Sequence, residues 1–310
     1  MTPTGTLTDE SLARVAQRAR WLALSTVARR KVGHIGGPLS VMDMLATLFF
    51  DTMRRDPAAP EDPDRDRFIL SKGHNAIGLY AVMALRGYLP VIELDTFDQG
   101  DSRLQGHPDM LRLPGLDAST GSLGQGLAVG NGMALEARRQ RKDFTTFVML
   151  GDGELQEGMV WESVASASRH HLDNLVAIVD RNGLQQYGWE HDGGDESRFD
   201  RLDPWAGVDL SMVFRGFGWN VVEIDGHDIP TLRSTLKDVR DQRTGRPTVV
   251  LATTNKGRGT SFTEGTFTWH NGVPTPEQMD QAAAELGIDR GSEDMSGAEQ
   301  QDNEQEVTVR

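Results

Sequence analysis

The chain is predicted to be an α/β protein with a mostly parallel sheet covered by helices on both faces. Short aliphatic and β-branched runs (FIL, TTFVML, LVAIVD, NVVEI, TVVLATT) alternate with segments of helical periodicity, as strands do in a sheet that helices cross. The region from 146 to 182 condenses that pattern into strand, turn, helix, strand. No internal repeat and no linker interrupts the sequence before its C-terminal end, so residues 1–288 are expected to form one domain.

Taken in order, Leu12, Val15, Ala16, Ala19, Leu22 and Ala23 recur at helical spacing and predict a helix over 9–29, capped by Thr8 or Asp9. Pro38 is expected to open a second helix with Val41, Leu45, Leu48 and Phe49 on its buried face. RDRFILSKGH reads as a short buried strand running into a loop, and 75–87 as a helix stopped by Gly87. After a loop over 89–120, GSLGQGLAVGNGMALEARR turns from glycines into a helix, which offers free backbone N–H groups at its start. A polar loop over 185–204 follows Asn182. Then come a helix near 212–217, the strand WNVVEI, the loop DGHD, a helix over 229–242 and the strand TVVLATT. The glycine-broken KGRGTSF precedes a last helix over 276–286.

Bulk properties remove several function classes. With no cysteine there is no disulfide, thiolate metal site or Cys nucleophile. A net charge of −14 argues against general nucleic-acid binding, which needs a basic face. The polar N-terminus lacks the regions of a signal peptide, and no apolar run reaches the ~20 residues of a membrane span, so a cytoplasmic protein with no membrane partner is expected. Between Asp289 and Glu306 stand seven acidic residues against one arginine, with almost nothing apolar to bury. Residues 289–310 therefore read as an acidic disordered tail.

The chemistry collects where strands end. Gly151-Asp152-Gly153 closes one strand run, and Asn182 closes the next, thirty residues after Asp152. In a parallel sheet the carboxyl ends of neighbouring strands form the ligand crevice. A carboxylate and an amide presented there are hard oxygen ligands suited to Mg²⁺, and the flanking glycines let backbone approach a diphosphate. Gly-Asp-Gly alone is also a common turn; the strand context and the Asn give it weight. Four of the eight histidines follow a glycine in loops after an element (His34, His74, His107, His227), and His270 lies in another loop. Together they suggest donors to phosphate and hydroxyl oxygens, with no HExxH or Cys spacing for zinc. His170, His171 and His191 read as solvated side chains.

GDG with a following Asn resembles the thiamine diphosphate motif. VGHIGGPLS (32–40), FILSKGH (68–74), QGHPDM (105–110), STGSLGQGLAVGNGMA (119–134), GDGELQEGMVWE (151–162), DNLVAIVDRNGLQ (173–185) and DGHD (225–228) together resemble the N-terminal half of transketolase, in family order up to about residue 272. The GHIGG form resembles the split, two-subunit enzymes of prokaryotes. The resemblance implies the thiamine diphosphate-binding fold, with thiamine diphosphate and Mg²⁺ as cofactors. It implies Asp152, Asn182 and the carbonyl of Leu184 as metal ligands, and His74, Gly153 and Glu154 at the diphosphate. Gly121 and Leu123 would lie near the cofactor ring, and His34, His107 and His270 at the hydroxyls of the donor sugar. Glu157 and Glu162 would lie toward an interface between subunits, although a solvated helix-start carboxylate explains each equally well. Gln186, followed by Tyr187 and Gly188, stands where the family carries an apolar residue against the thiazolium.

The implied activity is transfer of a two-carbon ketol unit from a ketose (phosphate) donor. The alternatives are a two-carbon transferase with a carrier-protein thiol as acceptor, and a cofactor-holding homologue without turnover. The glutamate that activates the cofactor belongs, in the resembled family, to the pyrimidine-binding domain, for which this sequence has no second α/β pattern. A second subunit of similar length is therefore expected, in an α₂β₂ heterotetramer inactive without it.

Overall fold

A computed structural model of the chain describes residues 7–186 and 203–289. The strand runs become β1 (Arg67–Leu70), β2 (Thr146–Gly151), β3 (Leu175–Arg181), β4 (Asn220–Asp225) and β5 (Thr248–Thr253). They pair in the order β1-β2-β3-β5-β4, every pair parallel. Gly151 stands opposite Asp180 in the β2–β3 register, so Asp152 and Asn182 leave their strands side by side. The helices are α1 (Asp9–Arg30), α2 (Gly36–Ser40), α3 (Met42–Thr47), α4 (Ala76–Arg86), α5 (Gly126–Arg139), α6 (Gly158–Arg169), α7 (Leu210–Gly216), α8 (Ile229–Asp241) and α9 (Pro276–Leu286).

Alternation along the strands builds two cores, one on each face. Phe147, Met149, Val176 and Ile178 pack with apolar residues of α1, α3, α4, α8 and α9. Val148, Leu150, Ala177 and Val179 point the other way, to α5, α6 and α7. The helices therefore cover both faces as the sequence predicts. Each fully buried Phe or Leu contributes about 1.5–3 kcal/mol, so these two cores carry the stability of the fold. Among the described residues no helix is long and apolar enough to cross a membrane.

Local signals hold at most element ends. Thr8 caps α1 by accepting from the Ser11 amide at 3.1 Å, and Asp9, Glu10, Arg29 and Arg30 suit the helix dipole. Thr275 and Gln278 form a reciprocal capping box on α9, with Pro276 in its first turn and Gly287 in the left-handed region after it. Two expectations shift. The second helix begins at Gly36, two residues before Pro38, because the first-turn N–H groups of a helix lack partners and tolerate proline. It also breaks at Val41 before α3 and ends in a wide turn over Leu48–Thr52. The loop over 89–120 contains a 3₁₀ turn, Val91–Thr96. The predicted tail beyond Asp289, most of the polar loop over 185–204, and His191, Tyr187 and Gly188 lie outside the described residues.

Candidate active site

Asp152 follows β2 directly and is buried. Its carboxylate accepts from the backbone amides of Gly153 (2.8 Å) and Gly183 (2.6 Å), which bind the GDG turn to the turn after β3. Asp180, the penultimate residue of β3, is wholly buried and accepts from Lys72 Nζ (2.5 Å), Ser40 Oγ (2.6 Å), Asn182 Nδ2 (2.9 Å) and Thr254 Oγ1. The two carboxylates titrate apart. Burial and then the Asp180 charge push Asp152 up to about 6, against the pull of Lys72 and the two amides. Burial opposes ionisation of Asp180 as well, but the Lys72 ammonium and these hydrogen bonds hold it below the usual carboxylate range.

Lys256, 2% exposed, is the second buried ammonium. It donates to the carbonyls of Leu184 and Gln185, at 2.9 Å each, and stands 3.3 Å from His270 Nδ1. All three partners are neutral. Burial and then the nearby Lys72 charge lower it to about 8, only partly offset by Asp152 and Asp180.

Four of the predicted histidines converge. The His34 ring lies 5.3 Å from that of His74, 5.2 Å from His270 and 6.3 Å from His107, and His74 lies 5.1 Å from His270. A bridge between His34 and Asn271, and the Ile35 amide donating to the His270 carbonyl at 3.3 Å, fix two of these loops to each other. Burial, followed by neighbouring His107 and Lys256, lowers His34. Burial and Lys72 put His74 well below its ordinary value, and burial and Lys256 bring His270 to about 3. These three rings are neutral imidazoles at physiological pH, each offering one donor and one acceptor nitrogen. Gly121 permits the close approach of His107. At φ +147° a Cβ there would stand 3.1 Å from the His107 ring, and a Cβ on Gly73 would meet the Gly121 amide at 2.8 Å.

Other predicted residues fall differently. Glu154 does not turn toward a diphosphate: its buried carboxylate accepts from Ser71 Oγ and from the amides of Gly124 (2.9 Å) and Gly151 (3.1 Å), clasping three segments together. This also uses one of the N–H groups expected to be free before α5. His227 is not a donor to phosphate or sugar oxygens, because both its ring nitrogens are engaged. Nδ1 lies 2.7 Å from Asp43 Oδ2, and Nε2 accepts from the Asn255 amide at 2.9 Å. Leu123, Gln186, Glu157 and Glu162 are exposed, and His170 and His171 are solvated as expected. Gly153 sits under the Gln185 side chain, a Cβ there falling 3.4 Å from Gln185 Cγ.

The sequence reading missed Lys72, Lys256, Asp180 and Trp205. Lys72 lies inside SKGH and Lys256 opens KGRG, yet nothing in their spacing separates them from surface lysines. Trp205 donates its indole N–H to the Asp152 carbonyl at 2.7 Å and packs on Trp161.

The donor set fits the implied groups. Among the described residues no three His, Cys, Asp or Glu side chains converge on a metal position. A cation here would thus take one carboxylate (Asp152), one amide oxygen (Asn182) and one carbonyl (Leu184), and complete its shell from ligand and water oxygens, as Mg²⁺ does. A buried lysine with only neutral partners, beside neutral imidazoles and glycine-turn amides, fits a polyanion.

A family model described as "Transketolase, thiamine diphosphate binding domain" matches residues 11–300. The chain is 38% identical to an apulose-4-phosphate transketolase subunit from Phocaeicola vulgatus, over 89% of this chain and 94% of that protein. It is 40% identical to the 6-deoxy-6-sulfo-D-fructose transketolase subunit of a Clostridium species, over 86% and 93%. Human transketolase is 37% identical, over 87% of this chain but 41% of its own length. The solved transketolase of Campylobacter jejuni superposes with a TM-score of 0.81 at 29% identity, covering 91% of this chain and 44% of that one. The chain therefore spans less than half of the full-length enzymes it matches and nearly all of the separate subunits. Matched across both its sequence and its sheet, this chain belongs to the transketolase family, in the part that forms the thiamine diphosphate-binding domain.

Proposed function

We propose that the chain is the N-terminal, thiamine diphosphate- and Mg²⁺-binding subunit of a split transketolase. It would transfer a two-carbon ketol unit from an anionic ketose to an acceptor together with a second polypeptide. The observation that carries this reading is the convergence of Asp152, Asn182, the Leu184 carbonyl, two buried lysines and four histidines at one end of a parallel sheet. The names of the two subunit-length relatives supply the substrate class. One refers to a ketose phosphate and the other to a sulfonated ketose.

Asp152, Asn182 and Leu184 would hold the metal, and Lys72, Lys256 and His74 the diphosphate. When bound, thiamine diphosphate supplies a carbon nucleophile for the ketose carbonyl. His34 and His270, kept neutral by burial and by nearby positive charge, are suited to hydrogen-bond sugar hydroxyls through one donor and one acceptor nitrogen each; His107 completes that wall. Gln186 is exposed and brings an amide where the family has an apolar residue, which makes it a candidate contact for an unusual donor. Nothing favours the carrier-thiol acceptor or a homologue without turnover.

The relatives of matching length are named as subunits of a transketolase, which supports a separate partner. Exposed apolar side chains at Met110, Leu111, Leu123 and Met159, on segments flanking the site, support a covered surface there. An α₂β₂ assembly with Glu157 and Glu162 toward the interface is the arrangement we propose. Purified chain with thiamine diphosphate, Mg²⁺, xylulose 5-phosphate and ribose 5-phosphate should show no turnover, which should appear when the second polypeptide is added. Full transketolase turnover by the homogeneous chain alone would overturn the split-enzyme reading.

A further inference from the structure

The DGHD loop at 225–228 is the one family-like motif that the site does not absorb. Its histidine sits at the junction of two chains of hydrogen bonds, buried on the Arg20–Asp43 side and half-buried at Asn255. On one side, Asp43 of α3 is gripped by the Arg20 guanidinium at 3.1 and 2.5 Å, and Arg20 also donates to the Leu39 carbonyl at 3.2 Å. Asp43 then meets His227 Nδ1 at 2.7 Å. On the other side, His227 Nε2 lies 2.9 Å from the Asn255 backbone nitrogen. That amide can only donate, so Nε2 must carry the lone pair and the ring proton must sit on Nδ1, pointing at Asp43.

Asn255 immediately precedes Lys256, in a strap of four residues that are each tied down separately. The Thr254 amide donates to the Arg181 carbonyl at 3.1 Å, and its hydroxyl donates to Asp180. Lys256 reaches Leu184 and Gln185, and the Gly257 amide reaches the Gly36 carbonyl at 2.9 Å. His227 supplies the side-chain attachment of Asn255. We propose that His227 is a positioning residue for the cofactor site: it transmits the rigid Arg20–Asp43 anchor through the Asn255 backbone to Lys256, setting where that ammonium stands against the Leu184 and Gln185 carbonyls. The inference rests on the proposed function in that Lys256 faces a diphosphate.

Two conservative variants separate the halves of the junction. His227→Asn keeps a donor near the position of Nδ1 but cannot reach Asn255. His227→Gln places an amide oxygen near the position of Nε2 but gives up Asp43. Thiamine diphosphate affinity with Mg²⁺, measured by calorimetry on the full chain, should fall about tenfold in His227→Asn and stay within about twofold in His227→Gln. Melting temperature should move the opposite way, falling in His227→Gln, which leaves Asp43 short of a partner, and holding in His227→Asn. In cofactor-free protein, hydrogen exchange at the Asn255 amide should quicken in His227→Asn alone. Unchanged exchange and affinity in His227→Asn, or equal losses of affinity in both variants, would overturn the positioning role. Failure of the unaltered protein to bind thiamine diphosphate with Mg²⁺ would overturn the functional reading itself.

Discussion

The two ends of the sheet treat buried charge in opposite ways. Where β1 begins, the Asp117 carboxylate is enclosed by the guanidiniums of Arg55 and Arg65 (2.7 Å for Arg65) and by the Phe68 amide at 2.8 Å. Burial opposes the charge on Arg55, yet Asp117 outweighs it and raises the guanidinium above its ordinary value. Where β2 and β3 end, Lys72 and Asp180 pair with each other, but Asp152 has only two backbone amides and rises to about 6, while Lys256 has only neutral partners and falls to about 8. The first arrangement finds its counter-charges within the chain, with Glu61 as a second carboxylate 3.9 Å from Arg65. The second becomes complete with a cation and an anion from outside. Unbalanced buried charge, more than buried charge itself, separates site from scaffold here.

The comparison breaks most visibly at Asp117. Asp117→Ala leaves the buried Arg55 guanidinium without its counter-charge and Arg65 with Glu61 alone, and should lower unfolding stability by about 3–5 kcal/mol in urea titrations. A loss under about 1 kcal/mol would mean the cluster is solvated. Asp152→Asn should do the reverse: its urea midpoint should equal or exceed that of the unaltered chain, while Mg²⁺-supported thiamine diphosphate binding falls by about two orders of magnitude or more. A destabilised variant that still binds would reverse the roles given to the two ends.

Asp43 sharpens the contrast through pH. Burial alone would raise its carboxyl, but Arg20 and then His227 hold it at about 2, below the ordinary 3.8. A depressed carboxylate contributes stability that is fully present above the unfolded value and lost as pH falls through the folded one. The stability gap between the unaltered chain and Asp43→Asn should include about 2 kcal/mol from this source at pH 6 and shrink progressively between about pH 4 and 2. A gap that does not change with acid would show that Asp43 is not ionised in the fold. At the small end stands the exposed Glu136–Arg139 pair on α5. Glu136→Gln should leave the urea midpoint unchanged, since solvent screens such pairs. A clear drop there would weaken the distinction between enclosed and surface charge.

Much of this was legible in the sequence, for local reasons. Aliphatic runs closed by Gly151 or Arg181, and helices bracketed by Pro276 and Gly287, carry their own boundaries. GDG, Asn182 and the Gly-His pairs likewise announce themselves over a few residues. What stayed hidden depends on partners far along the chain. His227 reads like the other four loop histidines until Asp43, 184 positions away, occupies its Nδ1. Lys72 reads as a loop lysine until Asp180, 108 positions on, pairs with it. The inward turn of Glu154 needs Ser71 and Gly124, which no local spacing connects to it.

The most direct measurement is a calorimetric titration of thiamine diphosphate into the unaltered chain with Mg²⁺, repeated after chelation of the metal. If Asp152, Asn182 and Leu184 await a cation and Lys256 an anion, binding should be clear with Mg²⁺ and at least about tenfold weaker without it. Equal affinity in the two titrations, or no binding in either, would contradict the account.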